Sequence, residues 1–216
     1  EVPKSAEGLE DTEAKKVEAV ELDVSDSRGG SHNLVIGDRH EYTSYGGIVT
    51  GRSNKISNFY SAVVGGYGNI ATGAYSTVTG GIYNEATEYI SSISGGKDNT
   101  ATGYHSSISG GESNIASGQS SSISGGWYTT ASGRYSSISG GLYNTASGVR
   151  SSISGGRDNT ASGNGSSVLG GKLNDAQGEA AVVTGGLNNK AIGDRATVVG
   201  GKKNRARRNF SVVTGA

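Results

Sequence analysis

The sequence predicts an all-β protein, a parallel β-solenoid wound from 15-residue coils. Three observations carry this. The first is a fixed period: Ser91 to His105 reads SSISGGKDNTATGYH, and SSISGGESNIASGQS, SSISGGWYTTASGRY, SSISGGLYNTASGVR and SSISGGRDNTASGNG follow without slippage. A short exact period is the mark of a repeat architecture and outranks local propensities. The second is what the glycines forbid. There are 38 glycines and one proline in 216 residues, and a Gly-Gly pair in every coil interrupts any helix. Collagen is excluded because glycine is not every third residue. The third is that each coil carries one branched apolar residue and one alanine at fixed places.

The second glycine of each pair serves as a ruler, from Gly66 through Gly81, Gly96 and Gly111 to Gly201, with Gly51 upstream and Ala216 downstream in the same register. Gly37 joins if the first coil has 14 residues. Three residues before the ruler stands a branched apolar residue: Leu34, Ile48, Val63, Val78, Ile93 and so on to Val213. Three after it stands asparagine (Asn69, Asn84, Asn99, Asn114), with His40 and Thr129 as exceptions, and five after it alanine, Ala71 to Ala206. Ser-Ser-Ile-Ser therefore reads as a short strand, with Ile93 inward and Ser92 and Ser94 outward. Gly-Gly and the asparagine form a turn, both residue types tolerating positive φ. Thr-Ala-Ser is a second strand with alanine inward, and glycines such as Gly103 and Gly118 open a second turn. Roughly twelve coils about 4.8 Å apart make a rod of about 60 Å.

Two regions follow: residues 1–32 and the repeat array 33–216. Residues 1–32 hold nine acidic and four basic side chains. Asp11 to Val24 reads either as a short helix with Val17, Val20 and Val24 on one stripe or as an extended, charged tail. The repeats start after the Arg28-Gly29-Gly30 break. At the other end Lys202, Lys203, Arg205, Arg207 and Arg208 cluster in one coil. Three readings stand: a polyanion-binding patch, a joint for end-to-end self-association with the acidic segment of another molecule, or charge that blocks uncontrolled edge pairing. The last residues, SVVTGA, form an uncapped strand motif, which favours a truncation or a filament joint. The chain does not begin with methionine, which suggests a processed chain or an excised segment.

Formal net charge is zero, so neither nucleic acid nor an anionic membrane is implied as partner. There is no cysteine, hence no disulfide framework, and no stretch is long and apolar enough to span a membrane. Each coil buries only one Ile or Val, worth about 1.5–3 kcal/mol, while ordering its residues costs about 1.5 kcal/mol each. The deficit predicts that the Ser/Thr/Val face is buried against further copies of the chain, cyclic homo-oligomers being the default closed solution.

Repeats of the form S-x-[VI]-x-G-G-x-x-N-x-A-x-G, with Asn33 to Gly37 (NLVIG), resemble the YadA-like head repeats of trimeric autotransporter adhesins, over about 33–216. The resemblance implies a left-handed parallel β-roll, three chains side by side in a homotrimer, extracellular on a bacterial surface, with an adhesive role toward matrix or cells. Neck, stalk and anchor elements of that family are not present in this sequence. The expected function is accordingly a structural and adhesive trimer; the alternative is a subunit of an extracellular filament joined end to end.

The aromatic residues fall in the turn columns, suited to a glycan or matrix ligand or to packing over neighbouring turns. Trp127, Tyr128 and Tyr135 are the candidate ligand-binding residues, Trp127-Tyr128 being sharpest because it replaces a polar pair and precedes Thr129. The asparagine column reads as a ladder of side-chain amides rather than a calcium site, since Asp98 and Asp158 are isolated and calcium needs converging carboxylates. His32, His40 and His105 lack metal spacing. No nucleophile elbow or phosphate loop is present, so no enzyme, cofactor or metal is expected. Asn164 and Asn209 head glycosylation sequons, meaningful in a eukaryotic secretory route. A minor alternative is an ice-binding solenoid on the ladder Ser92, Ser94, Ser107, Ser109, Ser122, Ser124, Ser137 and Ser139.

Overall fold

The computed structural model describes residues 20–23 and 32–215. Within the acidic segment, Val20–Asp23 form strand β1, antiparallel to β2 (Asn33–Asp38). The rest of the helix-or-tail alternative over Asp11–Val24, and the ruler position Ala216, lie outside the described residues.

β3 (Glu41–Tyr42) and β4 (Ile48–Arg52) complete the first turns of the solenoid. Beyond them each coil supplies two strands of two residues, such as Ser92–Ile93 and Thr100–Ala101. Equivalent strands stack in parallel: Ser92 lies between Thr77 and Ser107, Thr100 between Glu85 and Ile115. Two facing sheets result, of 14 and 12 strands among the described residues. The strands are short because Gly-Gly ends one and a turn residue with positive φ ends the other. Pairing continues through the turns. The Ser92 amide donates to the Ser106 carbonyl (2.9 Å) and Lys97 to Gly111 (3.0 Å), while Asp98 donates back to Ile82 (3.0 Å).

The core is one file of branched side chains from the first sheet against one file of alanines from the second. Ile93, Ile108, Ile123, Ile138 and Ile153 are each 1% exposed, and Ala71 to Ala206 no more so. The alternation expected of Ser-Ser-Ile-Ser holds: Ile93 is buried, Ser92 half-buried and Ser94 exposed. It also carries Ser91 inward, and the whole column of Ser61, Ser76, Ser91, Ser106, Ser121, Ser136, Ser151 and Ser166 is buried. Ser91 Oγ donates to the Glu88 carbonyl at 2.7 Å and Ser106 Oγ accepts from the Gly103 amide at 3.1 Å, but the other six hydroxyls have no hydrogen-bond partner. Ala181 and Ala196 occupy the same column, fully buried. Ser136→Ala is therefore expected to leave stability unchanged or raise it by up to about 1 kcal/mol. Urea unfolding checks this, and a clear loss would show that the hydroxyl is paired.

The asparagines form the second core system. Asn99 donates its amide to Asn84 Oδ1 (3.0 Å), and its Nδ2 donates to the carbonyls of Gly95 (3.2 Å) and Gly111 (2.9 Å). The pattern recurs at Asn114, Asn159, Asn174 and Asn189. These asparagines are buried and do not take the positive φ that the sequence reading gave them. The residue before each does so: Asp98 (φ 52), Ser113 (φ 55), Asp158 (φ 55), Leu173 (φ 57) and Asn188 (φ 55). Burial of the amide fixes the asparagine, so the reversal of direction falls one residue earlier. The ruler glycines do turn left, Gly96 at φ 93 and Gly111 at φ 90.

The apolar column also needs correction in the first two coils. Leu34 and Ile48 do not enter the core; Val35 and Val49 do, and Ile48 is 39% exposed. Val49 pairs with Val63 and Ile48 with Ala62, a step of 14, whereas Arg52 pairs with Tyr67, a step of 15. The extra residue of the later coils thus enters between strand and ruler glycine. Counting back from that glycine slips the early strands by one, which exchanges their faces.

Candidate functional site

The solenoid offers two flat faces and two edges. On the outer face of the first sheet, one column runs Thr77, Ser92, Ser107, Ser122, Ser137 and a second Thr79, Ser94, Ser109, Ser124, Ser139. Toward the ends the second column turns apolar, with Val64, Leu169 and Val199 each half exposed. The hydroxyl ladder therefore lies on an open face of the single chain.

The edges are made by the two turns of each coil, and they carry the aromatic residues. Trp127 and Tyr128 sit in the Gly-Gly turn; Tyr135 sits in the other turn, on the opposite edge. The proposed trio is therefore divided. Trp127 and Tyr128 meet Tyr143 of the next coil instead, with Tyr128 and Tyr143 stacked at 5.4 Å and Trp127 and Tyr143 at 6.3 Å. Tyr135 takes the guanidinium of Arg134 over its ring at 4.8 Å and that of Arg150 at 6.0 Å. All three residues remain exposed.

The opposite edge holds a longer aromatic array that separate inspection of the columns missed. From His32 it passes to Tyr45 (5.0 Å), Tyr60 (6.3 Å), Tyr75 (5.3 Å), Tyr89 (5.6 Å) and Tyr104 (5.0 Å), with His105 4.5 Å from Tyr104. Each ring touches its counterpart one coil away. The available signal was the 15-residue step itself, since Tyr60, Tyr75 and Tyr89–Tyr104 recur at nearly that spacing.

On the Gly-Gly edge, near the N-terminal end of the array, a cleft of about 590 Å³ opens between the turn column and the outer face of the second sheet. Arg39, Ser53, Gly68 and Tyr83 line it from successive turns, with Tyr67, and Glu41, Lys55 and Ile70 line it from successive strands. Lys55 Nζ lies 2.9 Å from Glu41 Oε2, and Arg39 Nε 3.8 Å from Asp38 Oδ2. The Tyr67 and Tyr83 rings meet edge to face at 5.3 Å. The Tyr83 phenol is held above its ordinary pKa, chiefly by its hydrogen bond with Tyr67. Further along the same edge Lys97 is also raised, first by its hydrogen bond with Glu112 (3.0 Å) and then by that carboxylate's charge and by Asp98.

Lys202, Lys203, Arg205, Arg207 and Arg208 are all exposed in the last complete coil, and none makes an ion pair among the described residues. No three His, Asp or Glu side chains converge to hold a metal ion among the described residues, and no described helix is long and apolar enough to cross a membrane. Comparison with protein-family models matches none to this chain, and comparison with curated proteins finds no relative.

Proposed function

We propose that the chain is an extracellular structural and adhesive rod that works as a homotrimer, the flat face of the first sheet packed against two further copies and the turn edges presented to ligand. The observation that carries this reading is the uniformity of that face. Small side chains repeat in two columns at every coil, so another regular surface can approach along its whole length, and the apolar members (Val64, Leu169, Val199) stand half exposed in the single chain.

The test is the mass of the assembly. Light scattering of the full chain is expected to give three copies, and Ser109→Arg together with Ser124→Arg, both at exposed positions of that face, is expected to give single chains with an unchanged circular dichroism spectrum. A monomeric parent protein, or a trimer indifferent to both arginines, rejects the reading. A second reading, end-to-end assembly, is favoured by the five cations at 202–208, which make no ion pair among the described residues, set against the acidic composition of 1–32. Fibres that shorten as salt rises would support it, because exposed charges more than a Debye length apart are screened.

A further inference from the structure

The cleft at Tyr67 and Tyr83 has the chemistry of a carbohydrate site. We infer that it binds a short acidic glycan, two or three sugar units of which at least one carries a carboxylate. This rests on the adhesive reading for its biological setting, but not for its chemistry.

The cleft follows from the sequence. In the turn column that runs Arg39, Ser53, Gly68, Tyr83, Asp98, Ser113, Tyr128 and Tyr143, residues 53 and 68 are the one place where two small residues stand in succession. The groove is open there and bounded by Arg39 above and Tyr83 below. Gly68 is needed for its shape: a Cβ at that position would come within 2.6 Å of the Tyr83 ring, and the backbone there has φ +66. Arg39 to Tyr83 is three coil steps, about 14 Å at about 4.8 Å each, and a volume near 590 Å³ suits a small ligand.

The groups lining the cleft divide by role. The edge-to-face tyrosines offer ring surface to the C–H face of a sugar and hydroxyls to its oxygens. Glu41 and Lys55, already paired at 2.9 Å, place an acceptor beside a donor, the arrangement that engages neighbouring sugar hydroxyls. Arg39 is the loosely held cation: among the described residues its only ion pair is the 3.8 Å approach to Asp38, which Arg52 also meets at 3.5 Å. A guanidinium fork so placed fits a carboxylate in two parallel bonds.

Titration calorimetry of the full chain with digalacturonic acid and with the neutral galactobiose of the same linkage tests the site. The acidic disaccharide is expected to bind roughly tenfold more tightly. Arg39→Ala should abolish that preference, and Leu173→Ala, at an exposed position of the same turn column far from the cleft, should change nothing. Ser53→Tyr provides a plug: tyrosine already occupies this column at 83, 128 and 143 with the same backbone conformation, so the fold is kept while the space is filled, and binding should be lost. Equal affinity for the two sugars, no binding in the millimolar range, or binding that survives the plug each overturns the inference. Adhesion to a glycan-bearing surface that survives the plug would remove the cleft and keep the adhesive reading. Disaccharide binding without adhesion would do the reverse.

Discussion

Gly133→Ala is expected to destabilise the rod by more than about 3 kcal/mol and to divide its unfolding into two transitions. Gly133 lies in the second turn, in the column Gly103, Gly118, Gly133, Gly148, Gly163 and Gly178. A Cβ there would stand 2.7 Å from the Gly148 carbonyl carbon and closer still to its oxygen. These are backbone atoms of the next coil, fixed by the ladder on both sides, so no side chain can move aside. The column is glycine because the coils approach each other closely there, not because φ is positive. Position 88 shows what a side chain costs: the Glu88 amide bonds Ser91 Oγ (3.2 Å), whereas the Gly103 amide bonds both Ser106 Oγ (3.1 Å) and the Ala116 carbonyl of the next coil (3.1 Å). In a solenoid each coil contacts only its neighbours, so one weakened junction separates two blocks that melt independently. Gly140→Ala is the control. A Cβ there meets nothing within 4 Å, and the smaller entropy of the unfolded chain makes it neutral or slightly stabilising. Thermal unfolding in which the two variants behave alike would falsify the close-approach argument.

The period made the solenoid, the alanine file and the amide ladder readable, because in such a fold a residue's neighbours are those 15 positions away. The same rule explains how the exposed aromatic residues divide between the two edges. Tyr135 is 8 residues from Trp127 and so lies on the opposite edge, whereas Tyr143, 15 beyond Tyr128, stacks on it. Nearness in sequence is half a coil; nearness in space is a whole one. The first two coils were misread because the 14-residue step changes to 15 at different places in strand and turn, and only the pairing of Val49 with Val63 shows where. The cleft was not legible at all. It depends on which turn column borders which sheet face, and on two small residues following one another at 53 and 68, a feature no single coil displays.

Asn159→Ala is expected to cost roughly 2–5 kcal/mol, since each buried group left unpaired costs about 1–3 kcal/mol. Asn159 Oδ1 accepts the Asn174 amide at 3.0 Å, and its Nδ2 donates to the Gly155 (3.0 Å) and Gly171 (3.1 Å) carbonyls. The Gly171 oxygen keeps the Arg157 amide (2.9 Å); the Asn174 amide and the Gly155 oxygen lose their partners. Asn164→Ala serves as the control, its side chain accepting one long bond, 3.4 Å from the Val149 amide, at an exposed turn. The chain contains the converse experiment. Thr129 receives the ladder from Asn114 through its amide (3.0 Å) and donates Oγ1 to the same oxygen (2.8 Å), but passes no side-chain carbonyl to the Asn144 amide. Thr129→Asn restores that acceptor and supplies an Nδ2 for the Gly125 and Gly141 carbonyls, as Asn114 does for Gly110 and Gly126. A gain of about 1 kcal/mol is expected. Urea midpoints that fall for Asn159→Ala, hold for Asn164→Ala and rise for Thr129→Asn would establish the ladder as a continuous stabilising element. If Thr129→Asn instead lowers the midpoint, the ladder is not what limits stability at this coil, and the threonine is there for the neighbouring Trp127-Tyr128 pair.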